Sequence, residues 1–536
     1  MTPLVPPMKW NAWGDPAAAK PLSDGIRSLL KQVVGLADSD QAELESDQVR
    51  LRPSALSAAD HDALASIVGA EYCRIADHDR LLRAGGKSTI DLLRRNDSGV
   101  QDAPDAVLLP GDDSDDGDVA AILHYCSEHG IAVVPFGGGT SVVGGLNPTR
   151  GTFSAVVSLD LRRFDQLICI DEVSGEAVFG AGVTGPEAER LLGEHGFSLG
   201  HFPQSFEFAT IGGFAATRSS GQDSAGYGRF DDMVRGLRVI TPVGTMDLGR
   251  APASAAGPDL RQLLVGSEGT FGVITQVRVH IHRRPDAVRY EAWSFPDFAT
   301  GAAALRAVTQ NATGATVLRL SDETETGVNL ATTEAIGENQ ITGGCLGITV
   351  FEGTKEHVES RHAETSALLA AQGGTSLGEG PAQAWERGRF GAPYLRDSLL
   401  AAGALCETLE TATDWSNVPR LKAAVTEALT AALAETGTPA LVMCHISHVY
   451  PTGASLYFTV VAGQRGNPIE QWQAAKKAAS DAIVATGGTI THHHAVGADH
   501  RPWMRDEVGD LGVQVLRAVK ATLDPAGILN PGKLIP

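Results

Sequence analysis

The stretch Pro135-Phe136-Gly137-Gly138-Gly139-Thr140-Ser141 ends the apolar run that starts at Ile131 and leads on to Gly144-Gly145. Consecutive glycines let the backbone turn with positive φ and approach a phosphate closely, and Thr140 and Ser141 add hydroxyl donors. A plain Gly-rich turn is the alternative for this stretch alone. It is not a Walker loop, because no G-K-[ST] follows. A literal G-x-G-x-x-G at Gly180, Gly182 and Gly185 precedes a helical pattern. The next segment, FSLGHFPQS, lacks a second strand's character, and Glu207 does not end one, so a strand-to-helix turn is preferred to a nicotinamide site.

Two further Gly-rich pieces follow at the spacing a long, extended ligand needs. The first runs Gln204-Ser205-Phe206-Glu207-Phe208-Ala209-Thr210 into Gly212-Gly213 and Thr217-Arg218-Ser219-Ser220-Gly221; the second is Gly266-Ser267-Glu268-Gly269-Thr270-Phe271-Gly272-Val273-Ile274. Around them, IAVVPF, FSAVVSLDL, EAVFGAGV, RGLRVITPVG and FGVITQVRVHI read as strands from 131 to about 284. YEAWSF, CLGITVFEG and SLYFTVVAG, separated by helical patterns such as LKAAVTEALTAAL, suggest a second unit with an antiparallel sheet. The predicted fold is α+β throughout. It divides into a helical N-terminal segment (1–100), a ligand-binding domain (101–285), a cap domain (286–465) and a C-terminal helical segment (466–536). One C-terminal helix runs through Ile469, Trp472 and Ala475 to Gly487-Gly488. Another carries Met504, Val508, Leu511, Val515 and Val519 at helical spacing until Asp524-Pro525.

The 536 residues leave room for two to four domains. Glycine, at 61 residues, is well above average usage of about 7%. The net charge of -21 repels nucleic acid and anionic lipid, so a phosphate ligand must be caught by local positive groups. The six cysteines form no C-x-x-C pair, which points away from a zinc ribbon or disulfide framework and toward a reducing, cytosolic setting. No signal peptide or long apolar span is recognised. The acidic run Asp112–Asp118 has Asp112, Ser114, Asp116 and Gly117 where a calcium loop would place them. Leu123 stands where the bidentate Glu belongs, so helix capping is the preferred role.

Taken together, PFGGGTS, TIGGFAATRSSG, GYG and GSEGTFGVIT, in this order, resemble the FAD-binding domain of the vanillyl-alcohol oxidase family of flavoproteins, and Ile528-Leu-Asn-Pro-Gly-Lys533 resembles its C-terminal motif. Within that family the chain is most similar to the alkyldihydroxyacetonephosphate synthases. Met8-Lys-Trp-Asn-Ala-Trp-Gly14, Gly200-His201-Phe-Pro-Gln-Ser205, Leu318-Arg319-Leu320, Tyr394-Leu-Arg396-Asp397, His448-Val-Tyr450-Pro-Thr-Gly-Ala-Ser-Leu-Tyr457-Phe and Thr491-His492-His493-His494-Ala-Val-Gly497 carry this similarity.

The resemblance implies a two-subdomain FAD-binding domain, with residues 135–141, 204–210, 217–220 and 268–274 holding FAD. No His or Cys in a recognisable attachment motif precedes residue 135, so noncovalent FAD is expected. It also implies an exchange without net redox change. The acyl group of a 1-acyl-dihydroxyacetone phosphate gives way to a long-chain fatty alcohol while the flavin holds the carbon skeleton. Tyr450 matches the synthases' catalytic Tyr. Arg396 matches their substrate-binding Arg, Arg319 matches a second functional Arg, and His201 lies in a loop expected to touch substrate. Three adjacent imidazoles, His492, His493 and His494, could bind zinc, pack structurally or move protons. Proton transfer is preferred, and no metal is expected.

Gln204 and Ala495 depart from the family pattern, where Asp and Gly are usual. The alternative function is an FAD-dependent 2-hydroxyacid dehydrogenase or oxidase. Many such relatives carry H-x-G-D-G-N-x-H and E-H-G-x-G, but here the stretches read HVYPTGASLYF and HHHAVG. A homodimer in the cytoplasm, with peripheral membrane contact, is expected.

Overall fold

The structure, a computed structural model, describes residues 8–19, 21–36, 44–111, 117–332 and 344–536. Asp112 to Asp116 of the acidic run lie outside these. Asp118 accepts a hydrogen bond from the Gly111 amide at 2.7 Å at the start of the helix Gly117–His129.

Two small sheets flank the Gly-rich loops. In the first, the strands Ala106–Leu108, Ala155–Asp160 and Ile131–Phe136 are parallel, with the helix Gly117–His129 as crossover. All six residues of Ala155–Asp160 are buried, as a strand covered on both faces must be. The second is five-stranded and antiparallel, in the order 244–248, 234–241, 273–280, 176–180, 167–171. Its strand Glu176–Gly180 pairs antiparallel with both neighbours, so the G-x-G-x-x-G does not sit in a parallel βαβ unit. FSLGHFPQS does contain a strand, but only Phe197–Ser198, paired antiparallel with His282–Arg283. The third sheet has seven strands, all antiparallel, in the order 375–378, 287–295, 345–353, 317–321, 440–449, 453–463, 404–414. Helices Phe298–Gln310, Val418–Glu435 and Pro468–Thr486 bury apolar faces in its core.

Three expectations need correction. Residues 1–100 are not purely helical: Arg50–Leu51 pairs with Val100–Gln101, and Cys73–Arg74 forms an edge of the first sheet. Two-residue strands are too short to show alternation. The final segment is not purely helical either. Leu529 bridges Val133 in parallel, with Val133 N donating to Ile528 O at 2.9 Å and Asn530 N to Val133 O at 2.8 Å. In the helix Met504–Leu523 the backbone breaks at Gly509 (φ 71°), which rephases the face, so Val508, Leu511 and Val515 are exposed while Met504 and Val513 are buried. Among the described residues no helix is long and apolar enough to cross a membrane.

Candidate active site

A cavity of about 940 Å³ opens between the Gly-rich loops and the seven-stranded sheet. Its first wall consists of Pro135–Ser141, Gln204, Ser205, Ala209, Thr210, Thr217, Ser219, Ser220, Glu268, Gly269, Gly272 and Ile274. The loops interlock tightly. A Cβ on Gly138 would stand 2.1 Å from Phe208 O, and one on Gly137 2.4 Å from Thr210 Oγ1. Asn530 Nδ2 ties the loops together by donating to Gly145 O at 3.0 Å and Glu268 O at 2.7 Å. Buried Gln204 Nε2 and Ser220 Oγ have no protein partner, so this wall offers unmatched polar groups to a long polar ligand. The fit to FAD rests on these close-packed glycines and unpaired donors. Gln204, a departure from the family pattern, thus retains an amide to offer the ligand.

Not every expected cofactor contact reaches the cavity. Phe206 stacks on Phe390 and Phe208 meets Trp13 edge-on. Phe271 and Val273 fill the core, and Arg218 turns away to pair with Asp231 at 2.8 Å. Glu207 and Thr270 do not line the cavity either. His201 requires a clear correction. It is wholly buried, packed on Phe214 and Phe230, with Nε2 at 3.0 Å from Ser219 Oγ, and lies behind the wall instead of on it.

The opposite wall is built by strand register. Glu410, Tyr457 and His445 stand side by side on three adjacent strands; Thr408, Thr459 and Met443 form the next row with the same facing, and Cys406, Val461 and Leu441 the row after that. Ile26, Leu30 and Val33 of the helix Asp24–Val34 and Leu399 line the apolar end. The wall therefore passes from imidazole and phenol to aliphatic over four residues of strand, about 13 Å.

The His triplet closes the polar end. Glu410, buried in the strand Ala404–Asp414, accepts hydrogen bonds from the backbone amides of His492 (2.5 Å), His493 (3.2 Å) and His494 (2.9 Å) and from Thr491 Oγ1 (2.6 Å). Burial alone would raise its carboxyl, but the surrounding imidazoles and Thr491 outweigh that and hold it well below the usual range. Tyr450 Oη is 2.5 Å from His492 Nε2, and His492 Nδ1 is 3.0 Å from His493 Nδ1. With Tyr450 donating to Nε2, His492 must donate from Nδ1, which leaves His493 its proton on Nε2. His493 and His494 line the cavity; Tyr450 and His492 do not. Tyr450 is instead the outer member of a relay, bonded also by Arg229. Burial raises its phenol despite that guanidinium.

Tyr457, whose ring stacks between those of His445 (4.9 Å) and His493 (5.9 Å), does line the cavity. His448, His492 and His493 have ring nitrogens within 4.8 Å of one another, a spacing compatible with a metal. Their hydrogen bonds to Gly221 O, to Tyr450 and to each other already engage these nitrogens. Ala495, where the family pattern has Gly, holds φ 71°, a conformation that costs a residue with a Cβ about 1–2 kcal/mol.

Both expected arginines line the cavity. Arg319 is engaged: Nη2 donates to Glu325 Oε1 at 2.5 Å and Nη1 to His445 Nε2 at 3.0 Å, while His445 Nδ1 donates to Glu325 Oε2 at 2.8 Å. Glu325 is driven to about 2 because His445 and Arg319 outweigh its burial. Arg396 donates from Nε and Nη2 to Asp397 Oδ1, both at 3.0 Å, and from Nη1 to Lys87 O at 2.6 Å. Sequence reasoning missed Glu410, Glu325, His445 and Tyr457. Neither acid carried a signal in the sequence, since both lie in polar-rich stretches, Asp322-Glu-Thr-Glu325-Thr and Glu407-Thr-Leu-Glu410-Thr.

Burial pushes several imidazoles down: His201, His448 and His493 to about 3, His282, His494 and His500 to about 4. As pH falls through about 6.5 the unfolded chain takes up protons that these native imidazoles refuse, so stability drops on acidification. Burial raises Asp223 and Glu268 to about 7, which works in the opposite sense between about pH 4 and 7. The imidazoles outnumber the two carboxyls, and a net loss of about 3 kcal/mol is expected from pH 6.5 to 5.5. Urea midpoints measured at the two pH values check this; an equal or higher midpoint at pH 5.5 would contradict it.

The family described as "FAD binding domain" matches residues 104–248, and that described as "FAD linked oxidases, C-terminal domain" matches residues 284–534. The chain is 32% identical, over 99% of its length and 92% of the relative's, to a Trypanosoma brucei brucei protein named alkyldihydroxyacetonephosphate synthase. A solved structure of an alkyldihydroxyacetonephosphate synthase aligns with TM-score 0.84 at 29% identity, covering 98% of each chain. p-Cresol methylhydroxylase, at 16% identity and TM-score 0.68 over 90% of this chain and 98% of its own, shares the fold. On the strength of its sequence, its fold and the FAD-type walls of its cavity, this chain belongs to the alkyldihydroxyacetonephosphate synthase family of FAD-binding proteins.

Proposed function

We propose that the protein exchanges the acyl group of a 1-acyl-dihydroxyacetone phosphate for a long-chain fatty alcohol, using FAD without net redox change. The observation that carries this reading is the single cavity joining the flavin-binding loops, the imidazole cluster, Arg396 and an apolar arm. A small 2-hydroxy acid would have no use for that arm. FAD, when bound, supplies a ring able to hold and return the substrate's carbon skeleton. The chain's own groups do the rest.

Arg396 keeps two of a guanidinium's five N–H donors after its three protein bonds, one on each terminal nitrogen, and these suit two oxygens of a phosphate. Arg319, neutralised by Glu325, supports the wall instead. His493 Nε2 presents a proton at the cavity, and His492 and Tyr450 resupply it from outside. The aliphatic rows and the helix Asp24–Val34 hold the chains of ester and alcohol away from water. Noncovalent FAD, a homodimer and a cytoplasmic or membrane-peripheral location complete the proposal.

Purified protein incubated anaerobically with the acyl substrate and labelled hexadecanol should yield an ether-linked product, and denaturation should release the flavin. If no ether forms while lactate or glycolate bleaches the flavin, the reading fails. Tyr450→Phe should stay FAD-loaded and lose exchange by at least about a hundredfold, since it removes the outer relay donor. Unaltered turnover would refute the relay.

A further inference from the structure

We propose that residues 8–15 form a strap that positions Arg396 for the substrate phosphate, with Asp397 as the joint between them; the identity of the phosphate rests on the function proposed above. Asp397 is shared. Its Oδ2 accepts the backbone N–H of Trp13, and its Oδ1 accepts Nε and Nη2 of Arg396, each at 3.0 Å. Lys87 is also two-sided. Its Nζ donates to the carbonyls of Lys9, Trp10 (3.2 Å) and Ala12 (2.6 Å), while its own carbonyl accepts Arg396 Nη1 at 2.6 Å.

The rest of the strap is fixed with similar economy. Arg95 Nη1 donates to Trp10 O at 2.6 Å, Asn11 Nδ2 to Asn96 Oδ1 at 2.9 Å, and Tyr394 Oη accepts Asp15 N at 3.2 Å. Gly14, at φ 65°, passes so close to Tyr394 that a Cβ would stand 2.2 Å from Oη. Trp13 turns inward to line the same cavity as Arg396, and its buried indole Nε1 has no protein partner.

A carboxylate beside an anion-binding arginine weakens the arginine's pull on phosphate, so its presence calls for a compensating role. Here it occupies the side edge of the guanidinium and, with the Lys87 carbonyl on Nη1, leaves one donor on each terminal nitrogen, which fixes the direction of the fork. Asp397 and Lys87 are thus positioning residues, acting through Arg396.

The test uses full-length, FAD-loaded enzyme in three forms: wild type, Asp397→Asn and Gly14→Ala. An asparagine has one acceptor oxygen and cannot serve both Trp13 and Arg396. Gly14→Ala displaces the strap without altering Asp397 or Arg396. KM for the acyl substrate should rise about tenfold or more in both variants, and calorimetric affinity for inorganic phosphate should fall in parallel. KM for hexadecanol and kcat should stay within about twofold. Unchanged phosphate affinity in either variant overturns the strap, as does a wild type that binds no phosphate. Parallel losses in kcat and both KM values would mark general damage and overturn it too. A wild type that binds phosphate but makes no ether refutes the proposed function alone, and the phosphate measurements still judge the strap.

Discussion

Replacing His493 by Asn should lower exchange by about 10²–10⁴-fold while the purified protein keeps its flavin. His493 is the member of the triplet that both lines the cavity and takes a hydrogen bond from the relay behind it. Burial pushes it to about 3, so near neutral pH it is an uncharged imidazole, able to give a proton from one nitrogen and regain it at the other. Asparagine preserves a polar side chain of similar reach but cannot pass a proton between two nitrogens. The backbone amide of His493 would still donate to Glu410, and the glycine loops would be untouched, which is why flavin content should hold. Single-turnover ether formation and the flavin-to-protein absorbance ratio check the two halves separately. Full activity in this variant would remove the imidazole from the mechanism.

Glu410→Ala should produce the largest combined loss, about 3–5 kcal/mol of stability together with nearly all exchange activity. The wild-type carboxylate satisfies three consecutive backbone amides and a hydroxyl in a place without solvent. Alanine would leave those donors buried and unpaired, and the loop bearing the triplet would have to move to find water. Glu410→Gln should be intermediate, because its amide oxygen can accept some of these bonds while its NH2 faces donors. Urea midpoints and turnover for the two variants give the ranking; equal midpoints for wild type and Glu410→Ala would refute the anchoring role.

The parts of this architecture that were legible in the sequence share a physical origin. Gly137, Gly138 and their neighbours stand where close approach of backbone forbids a side chain, and such a constraint is written in residue type. Of the large sheet, the strands 287–295, 345–353 and 453–463 were legible as apolar runs, whereas 317–321, 375–378, 404–414 and 440–449, short or interrupted by polar residues, were not. Glu410 was not, since what makes it important is the convergence of amides from a loop some eighty residues away. His201 shows the converse: it lies beside the flavin segment in sequence, yet two phenylalanines hold it behind the wall. Tyr450 and Tyr457 sit on one hairpin, and only the register and the facing of the strand put Tyr457 at the cavity and leave Tyr450 behind it. The helix Met504–Leu523 and its stop at Asp524 were legible, but the break at Gly509, which rephases its face, was not.

The pairing of Leu529 with Val133, and the bonds from Asn530 to Gly145 and Glu268, have a consequence for biosynthesis. The strand that launches the flavin loop emerges from the ribosome early, whereas the segment that buttresses it is translated hundreds of residues later. Until then the nascent loop lacks its clasp, so cofactor capture should follow completion of translation, and ribosome-stalled chains ending before Ile528 should be colourless.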